Sequence, residues 1–166
     1  EEHIPARDGE RQLKLGPGGL RDVEFSVQLL QLVHGRWDQR LRTPNTLEGL
    51  EALGTFGYVG RDDAAELDRA YRMLRALKHR LQLHRLMRTH VVPEAQEDLR
   101  RLGRSFGFRA DPAKELTALW RRHALEVRRL HEKLFYRPLL AAAARLTTDE
   151  ARLTPEAAHA RLSASD

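Results

Sequence analysis

A lysine, a glycine-rich turn and a charged helix start form the one stretch where residue type and spacing suggest chemistry. The run is Lys14-Leu15-Gly16-Pro17-Gly18-Gly19-Leu20-Arg21-Asp22-Val23-Glu24-Phe25. The chemistry it suggests is anion binding. Gly16, Gly18 and Gly19 remove the β-carbons that would hold a ligand off the backbone, and they permit φ > 0. A helix start presents unpaired N–H groups and a partial positive charge, and Lys14 and Arg21 add full charges beside it. The plainer alternative is a tight turn before a core helix.

The helix that follows places Leu20, Val23, Val27 and Leu30 on one side, with Phe25, Leu29, Leu32 and Val33 on much of the other. A helix apolar on both sides is expected to be buried. Between the two faces runs a polar stripe of Arg21, Glu24, Gln28 and Gln31, with Asp22 beside it. Buried charges need partners, so the stripe either meets another polar layer inside a bundle or lines a wet cleft.

Other chemistry finds little support. The turn lacks the lysine-serine or lysine-threonine ending of a P-loop and the third glycine of a dinucleotide fingerprint. His79, His84 and His90 are spaced by five and six and do not share a helix face as a metal pair would. His84 and His123 fall in apolar stripes and read as core or boundary residues. His131-Glu132 lacks the second histidine of a zinc-protease motif. No serine sits in a nucleophile elbow, and the absence of cysteine excludes disulfides and thiolate metal sites.

The elements that position the turn read as helices. The chain has 166 residues, enough for one domain with a real core. Its net charge of +5 is carried mainly by arginine, but acids are interleaved throughout, so most arginines read as solvated helix faces. No apolar run is long enough for a membrane span and no signal peptide is visible; a soluble, cytoplasmic protein is the expectation. Trp37 reads as a packing anchor over the end of the first helix. Asn45 or Thr46 should cap a short helix ended by Gly54, with Phe56 and Tyr58 as aromatic plugs after it. Asp62 and Asp63 start the longest helix, which carries Leu67, Ala70, Tyr71, Leu74, Leu77, Leu81, His84 and Met87 inward and runs to about Thr89. A helix from about Glu94 closes at Gly107. Another starts at Asp111-Pro112 and buries Leu116, Trp120, His123, Val127, Leu130 and Leu134 before Arg137-Pro138 ends it. Short helices over 139–146 and from Thr154-Pro155 complete an all-α bundle of about five to seven helices, two of them long and antiparallel. Residues 1–13 read as a connector, 14–146 as the bundle and 147–166 as a short helix and tail.

The glycine run and the segment Val27-Gln28-Leu29-Leu30-Gln31-Leu32 after it resemble the opening of the helical domain in glutamine synthetase adenylyltransferases. The likeness continues through Gly57-Tyr58-Val59, Ala70-Tyr71-Arg72-Met73-Leu74-Arg75 and 127–136. The sequence around Tyr71 and Phe135 is more similar to the first, AMP-removing half of an actinobacterial enzyme.

That resemblance implies a bifunctional enzyme that attaches AMP to glutamine synthetase and removes it by phosphorolysis. It implies Mg²⁺ and ATP, or AMP and phosphate, in the full-length protein, with glutamine synthetase, a PII signalling protein and an upstream nucleotidyltransferase domain as partners. The family's Gly-Ser turn with an Asp-x-Asp pair is absent here, so this segment alone should bind no metal and have no turnover. Lys14, Gly16, Gly18, Gly19 and Arg21 would then lie near nucleotide phosphate. Asp22 would cap the helix, and Glu24 would hold Arg21 or a metal-bound water, with Gln28 and Gln31 supporting. The alternatives are the helical domain of a PII uridylyltransferase, a basic nucleic-acid-binding module, and a pure protein-docking domain.

Overall fold

The computed structural model describes residues 6–85 and 89–136, without the side chains of residues 6–8, 84 and 85. The expectations for His84 and Met87 as core residues, and for helices over 139–146 and from Thr154, lie outside the described residues.

Five α-helices form the fold: α1 (Leu20–His34), α2 (Thr46–Thr55), α3 (Arg61–Arg85), α4 (Gln96–Ser105) and α5 (Pro112–His131). Among the described residues there is no strand, only an isolated antiparallel bridge between Gln12 and Val91. The all-α expectation holds. The chain divides into two compact units, 1–131 and 132–166. All five helices belong to the first. In the second, Glu132–Tyr136 form one turn of π-helix in which the rings of Phe135 and Tyr136 meet edge-on at 5.2 Å.

Helix boundaries follow local chemistry. Asn45 caps α2, its Oδ1 accepting from the N–H of Leu47 at 3.0 Å. Asp62 and Asp63 lie in the first turn of α3, where carboxylates complement the helix dipole. Asp111 Oδ1 accepts from Lys114 N–H while Glu115 Oε1 accepts from Asp111 N–H, a reciprocal cap before Pro112. The stop of α2 differs from expectation. Gly54 sits buried inside the helix, where an added β-carbon would meet Ala64 Cβ at 3.0 Å. The left-handed residue that ends the helix is Gly57, at φ +80°.

Helix α5 packs on both α3 and α4, and α1 lies against α2, α3 and α5. Leu67, Ala70, Tyr71, Leu74, Leu77 and Leu81 of α3 are buried, as are Leu116, Trp120, Val127 and Leu130 of α5. Each such leucine contributes about 1.5–3 kcal/mol of transfer free energy. The segment before α1 is pinned to this core. Leu13 N–H donates to His90 O and Val92 N–H to Arg11 O, and Leu13 is 1% exposed.

Three packing expectations fail in this first unit. Helix α1 is not buried on both sides: Leu20, Val23, Ser26 and Val27 are covered, while Phe25, Leu32 and Val33 are exposed. Both faces have helical spacing, and the three neighbouring helices cover only one of them. Trp37 is 82% exposed and anchors nothing in the core; the guanidinium of Arg36 lies over its ring at 5.1 Å. Phe56 is likewise exposed under Arg40, so it plugs no core gap.

Candidate functional site

The turn before α1 is closed by its own backbone. Gly19 N–H donates to Gly16 O, Leu20 N–H to Leu13 O, Arg21 N–H to Lys14 O and Asp22 N–H to Gly19 O, at 2.9–3.2 Å. Gly18 N–H donates to Asp22 Oδ2 at 2.7 Å. The unpaired N–H groups expected at this helix start are therefore occupied, and an anion finds no empty cradle there. The carbonyls of Leu13 and Lys14 and the Asp22 carboxylate stand where a phosphate would bind.

The glycines have a packing reason of the same kind. A β-carbon on Gly16 would lie 2.4 Å from Gly9 O, and one on Gly19 would lie 2.8 Å from Gly16 O. Gly18 has φ +74°, and its added β-carbon would meet the Ala124 carbonyl of α5 at 1.9 Å. The missing side chains let the turn seat on α5 and on itself. Asp22, expected to cap the helix, lies in its first turn and accepts from Gly18 N–H, one residue before the cap position Gly19, which has no side-chain bond of its own.

What remains for a ligand is the two cations. Arg21 is exposed, with its guanidinium over Phe25 at 5.6 Å. Lys14 is half-buried. The bond between Arg21 N–H and Lys14 O, 3.1 Å long, places both residues at the mouth of the turn.

The polar stripe separates into unlike parts. Glu24 does not hold Arg21: its Oε1 accepts from Tyr71 Oη at 3.0 Å. Burial, and then this carboxylate, push the Tyr71 phenol above its usual value and keep it a donor. Gln31 is a structural staple, its Nε2 donating to Leu41 O and Thr43 O at 2.8 and 2.9 Å. Gln28 is exposed.

Two polar constructions escaped sequence reasoning, at Ser26 and Asp38, while His123 is buried in the stripe where it was expected. Ser26, 1% exposed, donates to Asp22 O and meets His131 Nδ1 at 2.9 Å, tying α1 to the end of α5. Its position three residues after Val23 was the only sequence signal. Asp38 accepts from Arg40 N–H, Nε and Nη2 and from Tyr58 Oη. The Arg40 guanidinium holds its carboxyl well below the usual range, and Arg40 also covers Phe56 at 3.7 Å. His123 is buried on α5 with Nδ1 lacking a hydrogen bond, Glu66 Oε1 being 3.9 Å away. Burial, then the neighbouring Arg122, lowers its pKa and keeps it neutral.

The larger clefts lie elsewhere. One of about 860 Å³ runs between α2 and α3, and one of about 830 Å³, lined by Arg69, Arg122, His123 and Glu126, lies between α3 and α5. Neither is lined by Lys14, Arg21 or the glycines. A smaller one of about 290 Å³ reaches the turn at Pro17, beside Arg11, Arg121 and Arg128. Among the described residues no group of three His, Asp or Glu could hold a metal ion. No described helix is long and apolar enough to cross a membrane.

A family model described as GlnD PII-uridylyltransferase matches residues 1–135. Curated relatives carry the name bifunctional glutamine synthetase adenylyltransferase/adenylyl-removing enzyme. That of Streptomyces coelicolor is 67% identical over 97% of this chain and 16% of its own length. That of Nocardia farcinica is 53% identical over 99% of this chain and 17% of its own length, and that of Corynebacterium diphtheriae 50% identical over 98% and 16%. The chain thus spans about a sixth of the curated relatives it matches.

Proposed function

The chain belongs with the bifunctional glutamine synthetase adenylyltransferase/adenylyl-removing enzymes, within the family described as GlnD PII-uridylyltransferase, and from that premise we propose that it is the helical wall of a nucleotidyltransferase centre. The polypeptide around it would attach AMP to glutamine synthetase, using ATP, and remove it with phosphate. Mg²⁺ would be held by carboxylates of the polypeptide around this segment. A PII protein as regulator, a cytoplasmic setting and placement in the first, AMP-removing half belong to the same proposal.

Within that centre Lys14 and Arg21 supply positive charge at the rim, where nucleotide phosphate or the attacking phosphate passes. Charge fixed beforehand at such a position stabilises a transferring phosphoryl group without reorganisation during the reaction. The glycines act one step back: by seating the turn on α5 they hold both cations in place. The observation that carries the reading is the Arg21 N–H to Lys14 O bond.

Lys14→Ala and Arg21→Ala in the full-length polypeptide should each lower AMP transfer or removal at least about tenfold, about 1.4 kcal/mol, while thermal unfolding stays unchanged. Lys14→Arg should retain most of the rate. Wild-type rates in both alanine variants contradict the reading. The description of the matching family favours one second reading, a PII uridylyltransferase wall, which predicts UTP-dependent labelling of a PII protein instead.

A further inference from the structure

Helix α1 leaves one face bare. At 100° per residue, Phe25, Leu29 and Leu32 fall within a single stripe, with Arg21 at its start and Val33 at its edge, and Arg36 follows in the turn past the helix end. Leu32 is 79% exposed, Val33 54% and Phe25 46%, and Trp37 continues the stripe just past the helix end at 82%. Each end carries a guanidinium over an aromatic ring: Arg21 over Phe25 and Arg36 over Trp37. Among the described residues no acid lies on the stripe, and those beside it in sequence, Asp22, Glu24 and Asp38, are bonded to Gly18 N–H, to Tyr71 Oη, and to Arg40 and Tyr58.

We propose that this stripe docks a surface of the same polypeptide lying outside this segment. That surface is apolar at its centre, with a carboxylate to meet Arg36. Three observations choose this occupant. The charge is complementary to an acidic-edged partner and to no basic one. The matched relatives extend over about six times the length of this chain, so most of such a polypeptide lies beyond it. The stripe is also small. A stable contact between free proteins takes ~20–30 residues a side, whereas a tethered partner at roughly millimolar effective concentration needs far fewer. The inference rests on the proposed function only in taking this chain as part of a longer protein. Arg21 is where the docked surface and the cationic rim meet.

The test uses the full-length polypeptide carrying Leu32→p-benzoylphenylalanine, irradiated alone at sub-micromolar concentration, with the product mapped by mass spectrometry. The expected result is an intrachain cross-link to an Asp- or Glu-containing peptide outside this segment, reduced at least fivefold by Arg36→Glu. A control with the same probe at the exposed Arg104 should not give that cross-link. A dimer-sized product, a cross-link that forms only when glutamine synthetase is added, or a yield no higher than the control overturns the proposal. An intrachain cross-link alongside wild-type rates for Lys14→Ala would remove the phosphate rim and leave the docking intact.

Discussion

Arg21 and Lys14 are joined by a 3.1 Å backbone hydrogen bond, from the Arg21 N–H to the Lys14 carbonyl. The chain leaves the core at Leu13, turns through three glycines and returns, so seven residues of sequence separation collapse to one bond. The anion-binding look of this sequence therefore has two layers. The backbone layer is consumed by the protein itself, and only the two side chains remain for a ligand.

Gly18→Ala should be among the most damaging small changes in the chain. Its φ of +74° disfavours any β-carbon, and the added atom would meet the Ala124 carbonyl at 1.9 Å. A cost above about 3 kcal/mol is expected. Gly57→Ala, at φ +80° with nothing within 4 Å, should cost only about 1–2 kcal/mol. Urea midpoints of the two variants give the comparison, and equal losses would mean the turn does not seat on α5.

Tyr71→Phe removes the hydroxyl that donates to Glu24 and that also bonds the Thr46 side chain. The loss should be about 1.5–3 kcal/mol, the range for a bond to a charged group. A thermal midpoint equal to wild type would show that the Glu24 carboxylate is satisfied by solvent.

The Ser26–His131 contact can be weighed by a double-mutant cycle with Ser26→Ala and His131→Phe. A coupling of about 0.5–1.5 kcal/mol in chemical denaturation is expected for this buried bond. Additive losses would mean the two side chains are neighbours without an interaction.

Acid should destabilise the fold in two steps. His123 has a lowered folded pKa, so below its unfolded value of about 6.5 the unfolded chain binds the extra proton and stability falls with pH. Asp38 and Glu66, both held low by arginine partners, add stability above about 4 that is lost as pH falls further. His123→Gln should flatten the thermal midpoint between pH 5 and 6.5 and leave the lower step. An unchanged slope in that variant would assign the upper step to another group.

Sequence reading recovered what repeats at three and four residues. The buried face of α3 to Leu81 and that of α5 to Leu130, the Asn45 cap and the Asp111-Pro112 start are local signals and stand as expected, whereas Leu134, expected to be buried, is half-exposed in the π-helical turn after α5. It failed where two answers satisfy the same spacing. Both faces of α1 are apolar, and only the position of its neighbouring helices decides that Phe25 and Leu32 stay outside. Trp37 follows for the same reason. The glycine turn was legible as a turn, but its filling was not, because Ala124 lies far downstream. Likewise, Ser26 meets His131 across 105 residues, and no local pattern announces such a pair.

The central claim is that Lys14 and Arg21 face phosphate. It is tested most directly by steady-state AMP removal from adenylylated glutamine synthetase, using the full-length Lys14→Ala/Arg21→Ala double variant. The account predicts a KM for phosphate raised at least about tenfold, with the KM for the protein substrate unchanged. Wild-type constants for both substrates would contradict it.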